Sequence, residues 1–251
     1  MHGFWRGLGR WLSAAIVALA LLEAYFIVRI ALMARIDPRS TTFQRSEIWR
    51  LSMQGQGPLR WQQQWRDYGR ISDNLKRAVI ASEDDSFVNH DGVDWEAVEQ
   101  AWERNAKAEE QAEQQAQTRA AQHKPPHALR IRGGSTITQQ LAKNLFFSGE
   151  RTLLRKGQEL VLTYALEACL SKRRILALYL NSVEWGEGIF GAEAAAQHYF
   201  HKSAATLTAP EAARLAVRLP RPRYFERRPA SPYLAHRAAI ITARMRSAEL
   251  P

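Results

Sequence analysis

Several things are scarce in this chain of 251 residues. There is one cysteine, Cys169, which excludes an internal disulfide framework and a cysteine-based metal cluster while leaving either redox compartment open. Acids are outnumbered: 25 Asp and Glu against 35 Lys and Arg leave a formal net charge of +10 and a pI near 10.1. An anionic partner is therefore expected, whether nucleic acid, an acidic membrane surface or a phosphorylated substrate. No convincing run of strands appears, so the predicted fold is mainly α. His198 and His201 lack a suitably spaced acid or third ligand, which argues against a zinc site. The length suits one membrane segment and one globular domain; two full domains would be crowded.

A long apolar run stands out at residues 11–36, WLSAAIVALALLEAYFIVRIALMARI. It is long enough to cross a bilayer, and Arg6 and Arg10 place residues 1–10 on the cytoplasmic side. Ala18-Leu19-Ala20 suggests a cleaved signal peptide, and Glu23 and Arg29 suggest a buried core helix. The apolar stretch continues well past Ala20, longer than a signal core, so a retained transmembrane anchor is preferred. Arg29 and Arg35 near its outer end weaken the charge asymmetry and are expected to snorkel to the interface. Residues 37–70 carry turn residues, Trp49, Trp61 and Trp65 but no sustained period, and read as a juxtamembrane tether. Their tryptophans either sit at headgroup level or pack as a lid on the domain.

Chemistry concentrates first at residues 77–94, RAVIASEDDSFVNHDGVD, where an apolar helix capped at Ser72 ends in Glu83-Asp84-Asp85. A glutamate at such an exit suits proton transfer, although a solvated turn has the same spacing. Asp94 is placed to cap a helix burying Trp95, Val98 and Trp102. Residues 105–127 then turn to Ala, Glu and Gln without a large apolar side chain, so that helix is expected to run into solvent before Pro125-Pro126. Gly133-Gly134 allows a tight turn, and Thr136 with Gln139 forms a capping box for a helix burying Ile137, Leu141 and Leu145. Its N-terminus favours a bound phosphate, although an ordinary glycine turn and cap has the same pattern and is preferred on this segment alone. Lys143, Arg151, Arg155 and Lys156 surround Glu159, either as a surface ion-pair ladder or as a pyrophosphate-binding wall. Thr208 with Glu211, and Ser231-Pro232, start two further helices, the last burying Leu234, Ala238, Ile241 and Met245.

The motifs Glu83-Asp84, Phe87, His90, Gly92 and Asp94, followed by Gly133-Gly134-Ser135-Thr136-Ile137-Thr138-Gln139-Gln140, resemble the peptidoglycan glycosyltransferases, the lysozyme-like enzymes that polymerise lipid II. Arg155-Lys156, Glu159, Glu167, Lys172, Ile175-Leu176, Tyr179-Leu180-Asn181, Glu211-Ala212-Ala213 and Leu219-Pro220 follow in the family's order. The resemblance runs from about residue 71 to residue 225. Arg221 stands where Asn is common, and the polar insertion at residues 105–128 is longer than the family's usual connection. No penicillin-binding domain follows, as in the monofunctional, membrane-anchored type.

The resemblance implies a lysozyme-like glycosyltransferase domain at residues 71–251, on the periplasmic side of a bacterial inner membrane. It implies transfer of a growing chain from undecaprenyl diphosphate to the 4-hydroxyl of lipid II, with inversion and a β-1,4 product. Glu83 is the implied general base. Glu159 is the second functional carboxylate, orienting the diphosphate directly or through a divalent ion such as Mg²⁺. Asp84, Phe87, His90, Ser135, Thr138, Gln139, Gln140, Lys143, Arg151, Arg155 and Lys156 are the implied substrate-binding residues, Lys143 and Arg151 holding the donor diphosphate. Implied partners are lipid II, the polyprenyl-diphosphate-linked glycan, the bilayer and other cell-wall assembly proteins. A glycan-cleaving lysozyme-like enzyme has no need of Lys143 and Arg151 for a diphosphate, and an inactive scaffold no need of the intact acids. A nucleic-acid binder accounts for the charge but not the anchor.

Overall fold

The computed structural model describes residues 2–54, 60–121, 134–149 and 152–251. Gly133, Arg151 and the end of the polar insertion lie outside the described residues. Helix α1, His2–Leu32, is continuous, and its Gly9–Leu32 stretch is long and apolar enough to cross a membrane. Trp11, Ile16, Val17, Leu19 and Leu21 on it are exposed, whereas Ile30 and, just beyond its end, Met33 are buried against the domain. The outer end of the helix is therefore part of the domain's packing.

Residues 37–70, expected as a tether, hold a packed helix. In α2, Thr42–Met53, a capping box between Thr41 and Gln44 closes the first turn, and buried Gln44 donates to Ser182 O at 3.4 Å. Trp61 lies on Phe190 with ring centroids 4.6 Å apart and Trp65 packs on the core, while Trp49 is exposed. Two of the three tryptophans thus form the lid. Strand β1, Gln62–Gln63, runs parallel to β3, Ile189–Phe190, which pairs antiparallel with β2, Glu184–Gly186. This small sheet leaves the domain mainly helical.

Helix α3, Asp73–Glu83, is capped by Ser72, whose hydroxyl accepts from Asn74 N, and buries Leu75, Val79 and Ile80. It packs on α9, Ala209–Ala216, and α11, Pro232–Arg244, which bury Ala212, Leu215, Leu234, Ala238 and Ile241. Helix α5, Ile137–Phe146, has the expected Thr136–Gln139 capping box and lies between α6, Leu153–Cys169, and α7, Lys172–Ser182. Every residue of α7 from Ile175 to Ser182 is buried. A helix buried on all sides can only be a central one. Its single amide, Asn181, accepts from Arg66 N at 2.8 Å and donates to Arg66 O at 2.9 Å, pinning the β1 segment to the core. Helix α8, Ala192–Phe200, buries Glu193, which pairs with Arg66 at 3.1 Å and accepts from Ala204 N at 2.9 Å; a short α10, Pro222–Glu226, follows α9.

One expectation fails at α4, Trp95–Ala121. Asp94 does cap it, accepting from Ala97 N at 2.7 Å, but Trp95 and Trp102 are 62% and 81% exposed instead of buried. The packed face is the small one. A Cβ on Gly134 would lie 3.3 Å from Ala97 O and 3.4 Å from Ala101 Cβ, so the turn before α5 rests on the Ala97–Ala101 side and turns the indoles outward.

Candidate active site

Glu83 is the last residue of α3, where the helix has run out and its side chain faces α5 and α7. Oε1 accepts from Ser82 Oγ at 3.2 Å and Oε2 from Gln140 Nε2 at 3.1 Å, while Gln140 Oε1 accepts from Tyr179 Oη at 2.9 Å. Burial pushes the Glu83 carboxyl above its ordinary value, and the Asp84 charge adds to this; the hydrogen bonds and Arg237 oppose it without prevailing. Burial, with the charges of Glu83 and Asp84, pushes the Tyr179 phenol well up, so it remains a donor. Among the described residues, the side-chain bonds on Glu83 thus come from neutral groups.

The neighbouring acid serves differently. Asp84 Oδ2 accepts from Ile137 N at 2.9 Å, at the start of α5, and Oδ1 lies 2.8 Å from His90 Nε2. His90 Nδ1 accepts from Gly92 N at 3.1 Å, so the ring proton is on Nε2 and Asp84 receives it. Gly92 has φ +89°, and a Cβ there would come within 2.8 Å of Thr163 Cγ2 and 2.9 Å of Glu167 Cγ, so only glycine fits. Its carbonyl accepts from Thr136 Oγ1 at 2.6 Å. Glu167 accepts from Thr138 Oγ1 at 2.6 Å and Lys172 Nζ at 2.8 Å; Lys172 also donates to His90 O and stands 4.7 Å over the Phe87 ring. The loop carrying residues 84–94 is thereby tied to α5, α6 and α7.

These contacts sort the sequence-predicted residues. Asp84, Phe87, Thr138 and Gln139 are buried, the polar ones bonded within the protein, and His90 is nearly so. Ser135 and Lys143 are exposed, and Gln140 touches Glu83 directly. Across α5, Glu159 is 4% exposed and accepts from Arg155 Nη1 at 2.6 Å and Lys156 Nζ at 2.7 Å. Arg155 also lies 5.9 Å over the Phe147 ring, and its Nε is buried with no hydrogen-bond partner among the described residues. That guanidinium has a donor to spare beside one other cation, Lys156, and an acid, Glu159.

Sequence reasoning missed Tyr179, Lys172 and Arg237 as parts of the site. A hydroxyl within the apolar run of residues 175–180 was a usable signal for Tyr179, because a buried phenol needs a partner. Arg237 gave none, since only the packing of α11 on α3 brings it near Glu83. Among the described residues, no group of three or more His, Cys, Asp or Glu is arranged to hold a metal. A cavity of about 840 Å³ opens between α9 and α11, lined by Arg214, Leu234, Thr242 and Arg246 among others, and no carboxylate lines it.

A mainly helical domain, preceded by a helix long and apolar enough to cross a membrane, holds one glutamate among neutral donors and a second between two cations, the arrangement of a lysozyme-like enzyme of glycan chemistry. A family model described as transglycosylase matches residues 53–246. The chain belongs to that family. It is 50% identical over 246 residues to a biosynthetic peptidoglycan transglycosylase of Paraburkholderia xenovorans (strain LB400), covering 96% of this chain and 94% of the relative. Proteins of the same name from Herminiimonas arsenicoxydans (48% over 243 residues, 96% of each chain) and Bordetella avium (50% over 241 residues, 94% of each chain) are similar throughout.

Proposed function

We propose that this transglycosylase polymerises peptidoglycan strands by moving the growing glycan from its polyprenyl diphosphate to the 4-hydroxyl of lipid II, with Glu83 as general base. As the acceptor oxygen attacks the sugar's anomeric carbon, its proton passes to a Glu83 oxygen. The bond from that carbon to the diphosphate oxygen breaks, the configuration inverts, and the lipid diphosphate leaves with the bonding pair. An alcohol needs an uncompensated base, and a departing diphosphate needs cations.

The environment of Glu83 carries this reading. Its contacts are neutral donors and its affinity for a proton is raised by burial, which suits a base working near neutral pH. Arg155 and Lys156 are assigned to the diphosphate, with Lys143 and Arg151 as further cations of that wall. Both Glu159 oxygens already accept from cations, which supports Glu159 as the group that aims Arg155 and Lys156 at the phosphates directly. With both oxygens so engaged, Glu159 is poorly disposed to be the first ligand of a resident divalent ion, and no step here passes through one. Asp84, His90, Thr138 and Gln139 are assigned to support of the loop and of α5, and Gln140 to orientation of the base.

The anchor would hold residues 37–251 on the periplasmic side of the inner membrane, where a lipid-linked donor and acceptor both lie. Detergent-solubilised protein with labelled lipid II, wild type beside Glu83→Gln, followed by muramidase digestion of the product, is the test. Strands from wild type alone support both the reaction and its base. No polymer from a folded wild-type preparation, with divalent ions varied, sinks the reading.

A further inference from the structure

Helix α1 should be indifferent to rotation in a bilayer, yet it carries an acid in the middle of its apolar run. Glu23 Oε1 accepts from Gln158 Nε2 of α6 at 2.6 Å. From Glu23 towards the C-terminal end, one stripe of α1 meets the domain: Phe26 packs edge-on against Phe146 at 5.3 Å, Arg29 lies 5.4 Å over the same ring, and Ile30 and Met33 are buried. Glu23, Phe26, Ile30 and Met33 follow helical spacings of three and four on a single face. Leu21, Leu22, Tyr25, Ile27 and Val28, on the other faces, are exposed.

About 20 residues of helix cross the hydrocarbon layer. Counted from Gly9, the crossing ends near Val28, which leaves Glu23 roughly 8 Å inside the apolar layer. Helix α6 reaches the same depth. Its outward residues Leu154, Val161 and Tyr164 are exposed and apolar, as a lipid-facing surface requires. In such a layer no water replaces a lost partner, so a polar pair holds its register more firmly than apolar contacts do. A slip of α1 along α6 by one turn, about 5.4 Å, would leave both side chains unpaired in hydrocarbon.

Gln158, next to Glu159 on α6, reaches the anchor. We infer that Glu23 is a positioning residue: its hydrogen bond to Gln158 fixes the depth of the Arg155–Lys156–Glu159 wall relative to the bilayer, and so the height at which that wall meets a lipid-linked diphosphate. The inference rests on the proposed glycan polymerisation. It touches no reacting atom.

The test uses full-length protein and lipid II, in proteoliposomes and in detergent micelles, with Glu23→Leu, Glu23→Gln and Gln158→Leu beside wild type. Removal of the pair is expected to raise KM for lipid II in proteoliposomes roughly three- to tenfold, with kcat within about twofold of wild type. Glu23→Gln keeps a hydrogen-bonding end and is expected to restore wild-type KM. In micelles, which impose no fixed plane, all four proteins should agree within about twofold. Equal KM values in proteoliposomes, an equal loss in micelles, or a Glu23→Gln variant as impaired as Glu23→Leu would each overturn the assignment. The contact is read separately by oxidising Glu23→Cys with Gln158→Cys, in a Cys169→Ala background, in membranes: a cross-linked and active enzyme is expected, and no cross-link or an inactive cross-linked form overturns it. Failure of wild type to make strands in either medium defeats the polymerase reading itself, and the cross-link then shows whether the contact stands alone.

Discussion

Two glutamates stand near α5, Glu83 bonded to its Gln140 and Glu159 on the helix α6 that packs against it, and their surroundings differ in kind. Among the described residues, Glu83 receives hydrogen bonds from Ser82 and Gln140, both neutral, whereas Glu159 is gripped at both oxygens by Arg155 and Lys156. A carboxylate that must take a proton loses its basicity if a cation is bonded to it; one that must hold cations in place needs nothing else. The same side chain therefore stands in two electrostatic settings, and helix packing makes the choice. The strongest way to break the comparison is Glu83→Gln, which keeps shape and hydrogen bonding but takes no proton. The turnover rate with lipid II should fall by roughly 10²–10⁴-fold, with the circular dichroism spectrum unchanged. A fall of less than about tenfold would remove Glu83 from the base role.

On the other side, Arg155→Ala should lower kcat/KM by roughly 10²-fold, in the range for loss of one donor to a developing negative charge. Lys156→Ala should cost less, because Lys156 is 52% exposed against 17% for Arg155 and is the more screened. The reverse order, measured in the same assay, would mean that Arg155 supports Glu159 and not the phosphates. A sharper probe of the Glu83 side is Gln140→Ala. Gln140 bonds the ionised carboxyl and so lowers its proton affinity, against the larger effect of burial. Its loss should move the acid limb of kcat/KM to higher pH. Tyr179→Phe should move the limb the same way but less, since it acts through Gln140. No shift in either profile would place the titrating group elsewhere.

Helix periods and caps were legible in advance because they are local: Ser72, Thr136 with Gln139, Thr208 with Glu211, and the buried face Leu234, Ala238 and Ile241 all stand where spacing put them. The pairing of Arg155 and Lys156 with Glu159 was legible as well, because residues three and four apart share a helix face. What spacing did not reveal was which of several candidate faces a neighbour would cover. Trp95 and Trp102 have the period of a core stripe, but the approach of Gly134 selected the alanines beside them. Tyr179 looked like scaffold because its relevance lies in a hydroxyl 39 positions from its partner Gln140. Similarly, α2 showed no period, being held by a cap and by the ion pairs Glu47–Arg223 at 2.5 Å and Arg50–Glu187 at 3.0 Å instead of an apolar stripe.

The smallest expected effect concerns stability, and its sign also separates the base from an ordinary structural acid. Burial raises the Glu83 carboxyl in the folded state, so the folded protein keeps that proton to higher pH than the unfolded chain does. The stability associated with it is full below the ordinary carboxyl range and is lost as pH rises through the raised value. Glu193 has the opposite slope. Burial pushes its carboxyl up, but bonds from Arg66, Ala204 and Gln197 outweigh this and hold it at about 2, so its contribution is present above the ordinary 4.5 and is lost only as pH falls towards 2. Glu83→Gln removes a charge that the fold disfavours. Its melting temperature should match wild type in acid and exceed it at neutral and alkaline pH, by about 2–4 °C for each kcal/mol recovered. Calorimetry of the two proteins across that range checks it: a variant that melts below wild type at pH 8 would show that the ionised Glu83 is a structural anion and not a base held ready at the fold's expense.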